Sequence, residues 1–214
     1  MDFQRARNAK QKDIRIHEIT SATRELLEVN HFSTITLKKI SDKCSFSRIN
    51  LYNYFKTKEE IYLTIFLEDF QSLYDDMFAI FKQYTILNAE TFASLWCETI
   101  VKHHHALVWY TLVAGAFEDQ VSEEVLAQFK EAMLQILHDL ESLICSVFPK
   151  LSDKDCTYIL CFCLNFGSAL FTTFNTYSHN YEVKDNSNII SVSPGFVYEY
   201  RENIIIFIRG MVHN

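Results

Sequence analysis

The sequence predicts an all-α protein, on three grounds. Only 4 of its 214 residues are Gly and 2 are Pro, whereas a β-rich chain draws on such turn residues about every ten positions. Hydrophobic residues make up 49%, enough to bury a core and too many for a disordered chain. The apolar positions recur at three- and four-residue spacing over long runs, which is the period of a helix and not of a strand.

Taken in order, residues 1–10 read as a flexible basic arm carrying Arg5, Arg7 and Lys10. A first helix is expected from Gln11 to Val29, with Ile16, Ile19, Thr23, Leu26 and Leu27 as its apolar stripe. Thr36 suits the N-cap of a short second helix, on which Leu37, Ile40 and Cys44 share a face. Ser45-Phe46 interrupts the pattern, and Ser47 offers a cap for a short third helix. There Leu51 and Phe55 point inward, while Arg48, Asn50, Tyr52, Asn53 and Tyr54 are left to face outward. Thr57 and Glu60 form a capping box that opens a long helix with apolar positions Ile61, Ile65, Phe66, Leu73, Met77, Ile80, Phe81 and Tyr84. At the helical rise it spans about 40 Å.

Beyond it, Asn88 caps a helix through Trp96 and Val101 to His103-His104-His105, followed by a short apolar helix from Leu107 to Phe117. Ser122, with Glu123 and Glu124 behind it, starts a helix to Val147, and Pro149 closes it. Val125, Phe129, Met133, Ile136, Leu137, Leu140 and Ile144 are its buried face. Ser152 caps another helix to Tyr177. Residues 178–193 read as an exposed loop, and Ser193-Pro194 restarts a final helix bearing Ile204, Ile205, Phe207 and Ile208.

Two short helices around a tight turn, the second rich in hydrogen-bonding side chains, have the shape of a DNA-reading helix-turn-helix. The net charge of −7 argues against nucleic acid until its distribution is considered. Residues 1–60 hold 12 Lys and Arg against 8 Asp and Glu, a net of +4. The remainder holds 8 against 19, a net of −11. A basic head on an acidic body suits a small DNA-binding unit carried by a larger domain with another task.

Residues 32–61 resemble the DNA-binding domain of the TetR/AcrR family of bacterial transcriptional regulators. The resemblance rests on Leu51-Tyr52-Asn53-Tyr54-Phe55, on Lys58-Glu59-Glu60 opening the next helix, and on the upstream spacing of Thr36, Ile40 and Ser41. It implies an N-terminal three-helix DNA-binding domain over 1–57 and a helical effector-binding and dimerisation domain over 58–214. It further implies a cytoplasmic, ligand-responsive repressor that binds an inverted-repeat operator in double-stranded DNA as a homodimer. Carried over by position, Thr36 and Lys58 would hold phosphates, Tyr52 and Tyr54 phosphate and sugar, and Ser47, Arg48, Ile49, Asn50 and Asn53 would read bases.

Two residues depart from the family pattern. Ser45 stands where Gly is usual, which predicts a turn strained by about 1 kcal/mol if the position needs positive φ. Ile49 stands where a smaller residue is common, and its bulk suits either contact with thymine methyls or the exclusion of some sequences. These departures leave open a family member acting as a coactivator through a protein partner.

Several other stretches invite a function. His103, His104 and His105 suggest a metal- or haem-responsive sensor, but three consecutive residues on one helix fan too widely to meet one ion. His104 could share a helix face with Cys97 and Val101. Six cysteines without a secretory signal point to reduced thiols, and Cys156, Cys161 and Cys163 read as small core residues. Residues 157–174 are uncharged and near the length of a membrane span. The family layout instead assigns this run to a dimer interface, with Phe162, Gly167, Ala169, Leu170, Ile204 and Ile208 as its candidates, and no membrane partner is expected. Trp96, His104, Trp109, Tyr110, Phe117 and Phe166 are candidates to line a pocket for an unidentified small-molecule effector. No phosphate loop, nucleophile elbow or paired carboxylates occur, so no catalytic residue, cofactor or resident metal is expected and the chain is not expected to be an enzyme.

Overall fold

A computed structural model describes residues 2–181 and 192–212. Its helices, in chain order, are α1 (Asp2–Val29), α2 (Leu37–Ser41), α3 (Arg48–Leu51), α4 (Lys58–Phe81), α5 (Ala89–Lys102), α6 (His104–Ala116), α7 (Glu123–Val147), α8 (Asp153–Tyr181) and α9 (Pro194–Val212). Short 3-10 turns at Phe32–Thr34 and Glu118–Gln120 complete the described secondary structure, which contains no strand among those residues.

The expected caps account for most helix starts. The side chains of Thr36, Thr57, Asn88 and Ser122 each accept a hydrogen bond from the backbone N–H three residues on, which satisfies an otherwise orphaned donor. Ser152 and Ser193 do the same for Asp155 and Phe196. In the capping box the reciprocal bond is displaced, because Glu60 accepts from the Lys56 N–H at 2.6 Å and not from Thr57.

Four expectations about helix bounds and backbone conformation are corrected. The basic arm is helical from Asp2; residues 2–29 contain neither Gly nor Pro, so nothing stops the helix from extending backward. The helix through Trp96 breaks at His103 (φ −110°, ψ 32°), so the three histidines do not share one helix and His104 does not continue the face of Cys97. The break lets α5 pack on α9 while α6 packs on α8 and α4. The helix after Ser152 continues to Tyr181, and of the loop expected at 178–193, residues 182–191 lie outside the described residues. Finally, no non-glycine residue has positive φ among the described residues, so Ser45 carries no such strain.

Helix α4 is the central post, packed by α1, α5, α6 and α7. Ile61, Ile65, Phe66, Leu73, Met77 and Phe81 are buried as expected, and so are Tyr62, Leu63 and Phe70. One apolar stripe does not foresee these last three, since helices approach α4 from several sides. At the far end Tyr84 lies beyond the helix and is 40% exposed. Cys97, Cys156 and Cys163 are buried, whereas Cys161 is exposed, correcting its expected place in the core. It falls on a helical stripe of α8 with exposed Tyr158, Asn165, Ala169 and Thr172.

Candidate nucleic-acid interface

The head is built by burying Ile19 and Leu26 of α1, Ile35, Ile40, Leu51 and Phe55 in one cluster continuous with the first turns of α4. Leu37 and Phe46 are partly buried against it. Leu51, fully buried, anchors α3 from beneath and turns its other residues outward. Ser47, Arg48, Ile49, Asn50 and Asn53 are all exposed, and Tyr52 and Tyr54 are half-buried. The fold therefore gathers these seven candidates on α3 and the residues that flank it, with Thr36 exposed at the start of α2.

Within this surface the side chains are partly organised. The Arg48 guanidinium donates to the Tyr52 hydroxyl at 2.8 Å and lies 5.5 Å from the centre of its ring. The Lys56 ammonium donates to the Tyr52 carbonyl at 2.6 Å. Tyr54 packs against Phe46, with ring centres 6.2 Å apart. Ser47 occupies the N-cap position of α3 but makes no capping bond with its hydroxyl.

Lys58 departs from the picture of an open phosphate ligand. Its ammonium donates to the carbonyls of Ile35 at 3.0 Å, Ser33 at 3.1 Å and Phe32 at 3.4 Å. Tyr62, one turn along α4, also donates its hydroxyl to the Phe32 carbonyl at 2.9 Å. Together they fasten the segment leading into α2 onto the first turns of α4.

Residues of α1 that local sequence does not single out hold the turn. Arg15 donates to the Ser45 hydroxyl at 2.9 Å and lies 4.9 Å from the Phe46 ring centre. Glu18 accepts from the Ser45 N–H, a bond that holds its carboxyl below the usual range. Arg24 reaches from α1 to α4, donating to Asp69 at 2.6 Å and Glu68 at 3.0 Å. These pairs span 27 to 45 residues, so no periodicity exposes them.

The six pocket candidates do not converge. Trp96 donates its indole N–H to the Tyr200 hydroxyl at 2.9 Å in the α5–α9 core. Trp109 and Phe117 each lie 5.7 Å from the Tyr62 ring, beside the head. Tyr110 stacks on Phe70, Phe166 on Phe162, and His104 lies 6.0 Å from Phe171. An open groove of about 620 Å³ between α4 and α7 is lined by residues such as Leu67, Gln71, Asp75, Ala132, Ile136 and Asp139, and by none of these six.

At the histidine run, His103 Nε2 lies 2.7 Å from Asp76 of α4, and His104 Nδ1 lies 3.1 Å from the Val101 carbonyl oxygen. Among the described residues no three His, Cys, Asp or Glu side chains come together to hold a metal.

The interface candidates divide. Ala169 is exposed and Phe162 and Leu170 are half-buried, but Ile204, Ile208 and Gly167 are buried within the single chain. A Cβ added at Gly167 would lie 2.6 Å from the Tyr200 hydroxyl, so its small size serves the approach of α9 to α8 in the same chain. Helix α8 over Asp153–Phe174 is long and apolar enough to cross a membrane, with 39% of the apolar window buried. It packs against α6, α7 and α9.

A small helical head that projects donors from its third helix, joined by a long post to a larger helical body, defines a helix-turn-helix DNA-binding regulator of transcription. Residues 19–65 match the family model described as bacterial regulatory proteins, tetR family. Residues 67–214 match the one described as tetracyclin repressor-like, C-terminal domain. The chain belongs to the TetR family. No curated protein sequence matches it closely enough to count as a relative.

Among solved structures, the fatty acid degradation regulator FadR from Bacillus halodurans shares the fold at a TM-score of 0.57 and 12% identity, over 89% of this chain and 94% of that one. The transcriptional regulator FadR from Bacillus subtilis, solved with stearoyl-CoA, does so at 0.55 and 16%, over 88% of this chain and 97% of that one.

Proposed function

We propose that the chain is a cytoplasmic, ligand-responsive repressor that binds an inverted-repeat operator as a homodimer, using residues 1–57 to read DNA and 58–214 to dimerise and receive the effector. The exposed set Ser47, Arg48, Ile49, Asn50 and Asn53 over the buried anchor Leu51 carries this reading. Arg48 suits bidentate pairing with guanine and Asn50 or Asn53 with adenine, while Tyr52, Tyr54 and Thr36 contact the backbone. Lys58 acts chiefly by fastening residues 32–35 to α4, and the backbone N–H groups of that helix's first turn are its route to phosphate.

Two heads on a two-fold axis place their third helices in successive major grooves, about one turn of DNA apart. The exposed stripes of α8 and α9, including Ala169 and Ile206, form the dimer face, with half-buried Phe162 stacked on Phe207 at 4.1 Å beside them. An effector releases DNA by preferring a state in which the heads are wrongly spaced. Moving a 1:99 population to 99:1 takes about 5.5 kcal/mol of that preference. Stearoyl-CoA is the first probe, because a protein of this fold was solved with it.

Footprinting on DNA flanking the gene tests the reading, with protection of an inverted repeat expected. Replacing Arg48 or Asn50 by Ala should each cost about 1–3 kcal/mol of sequence-specific affinity. Unchanged binding by the double variant would remove both from base reading.

A further inference from the structure

Ile49 is 79% exposed, more than any other large apolar side chain among the described residues. Singly exposed apolar residues are ordinary on protein surfaces, so position is what distinguishes this one. It lies in the first turn of α3 between Arg48 and Asn50, with Asn53 one turn along, and all three neighbours are exposed and polar. The next most exposed apolar side chains, Ile206, Ile86, Val29 and Leu134, lie elsewhere, on α9, in the α4–α5 connection, on α1 and on α7.

Its backbone is well held. The Asn50 and Leu51 N–H groups both donate to the Ser47 carbonyl, at 2.9 and 3.2 Å, and Leu51 is fully buried beneath. A β-branched side chain on a helix has one strongly preferred χ1, so Ile49 is a stiff apolar knob. Arg48, which could fold over it, is instead drawn along the helix to the Tyr52 hydroxyl and ring. One isolated knob among donors is too small for a protein–protein patch and the right size for a single methyl group.

The apolar group on base edges in the major groove is the 5-methyl of thymine. We propose that Ile49 is a specificity-determining residue that reads one thymine 5-methyl group in each half-site. The inference rests on the DNA-reading role of α3 given above. Contact between the two removes apolar surface of both from water, a gain that cytosine in the same place cannot return.

The test uses full-length protein to select duplexes from a randomised library, with Ile49→Ala run in parallel. The wild type is expected to enrich a thymine at one fixed position of each half-site. Replacing that thymine with deoxyuridine removes the methyl and keeps the pairing. It should weaken wild-type binding about three- to fivefold per half-site, the worth of one buried methyl or methylene, and leave Ile49→Ala indifferent. The proposal is overturned if no thymine position is enriched, if the wild type tolerates deoxyuridine at every thymine, or if Ile49→Ala keeps the full penalty. Enrichment of no sequence at all by the wild type would remove the DNA-reading role itself, and this inference with it.

Discussion

Tyr200 is the residue on which three helices of the body meet. Its hydroxyl accepts from Trp96 of α5 and donates to the Cys163 carbonyl of α8 at 2.6 Å. Burial pushes the phenol well above its usual range, so it stays neutral and can play both parts. Tyr200→Phe should cost about 1–3 kcal/mol in urea denaturation, because the buried Trp96 N–H loses its acceptor. Gly167→Ala should cost a similar amount, about 1–3 kcal/mol of overpacking, since the new Cβ meets Tyr200 Oη at 2.6 Å and Cζ at 2.7 Å. Adding Tyr200→Phe to it should relieve only part of that cost, as Cζ remains. A fully tolerated Gly167→Ala would mean that α8 and α9 can separate freely. The small run Gly167-Ser168-Ala169 is legible in sequence as a place of close helix approach, but the identity of the approaching helix is not. The apolar spacing of Ile204 and Ile208, carried back by fours, reaches Tyr200 and Phe196, both buried, so that signal was present.

Between elements, the joint of head and body combines an aromatic cluster with a cluster of ion pairs. Phe117, at the end of α6, lies 5.7 Å from Tyr62 and 6.4 Å from Phe32. Arg24 of α1 binds Glu68 and Asp69 of α4. Burial raises the Asp69 carboxyl above its usual range, and Arg24 opposes that rise; removing Arg24 therefore lifts it further. A carboxyl whose folded value exceeds its unfolded value of about 4 holds its proton more tightly when folded, so stability falls as pH rises between the two. Arg24→Ala should thus lose most stability at pH 7, on the order of 1–2 kcal/mol, and least near pH 4. The loss stays below that of a fully buried pair because the Arg24 side chain is 37% exposed. Thermal melts across that range check it, and a deficit independent of pH would rule out Asp69 as the cause. Sequence periodicity finds α1 and α4 separately; it has no means of pairing residues 45 positions apart.

At the scale of the molecule, the charge split has a physical use. A head of net +4 is drawn to DNA, and a body of net −11 is repelled by it, so the pair favours head-first approach at low salt. The uncharged outer stripe of α8 beside that of α9 is the surface on which the proposed dimer depends. Glu substitutions at Ala169 and Ile206, both exposed, should leave helicity intact and shift sedimentation to the monomer, with weakened binding to an inverted repeat. A dimer that survives both changes would move the assembly to another face.

The sequence by itself determined the all-α class, the cap residues that start most of the helices, and the outward residues of α3. These are local properties, set by side-chain spacing within a turn or two and by which residue can satisfy a helix's first N–H groups. The tertiary structure decided the rest. It extended α1 back to Asp2, broke the histidine run at His103 so that two helices could pack on different partners, and folded Lys58 onto the carbonyls of residues 32–35. It also scattered the predicted pocket residues over separate aromatic clusters, and turned Gly167 toward Tyr200 of its own chain. Each of those outcomes depends on which surfaces meet at long sequence separation, and helical periodicity records only that a face is apolar, not what will cover it.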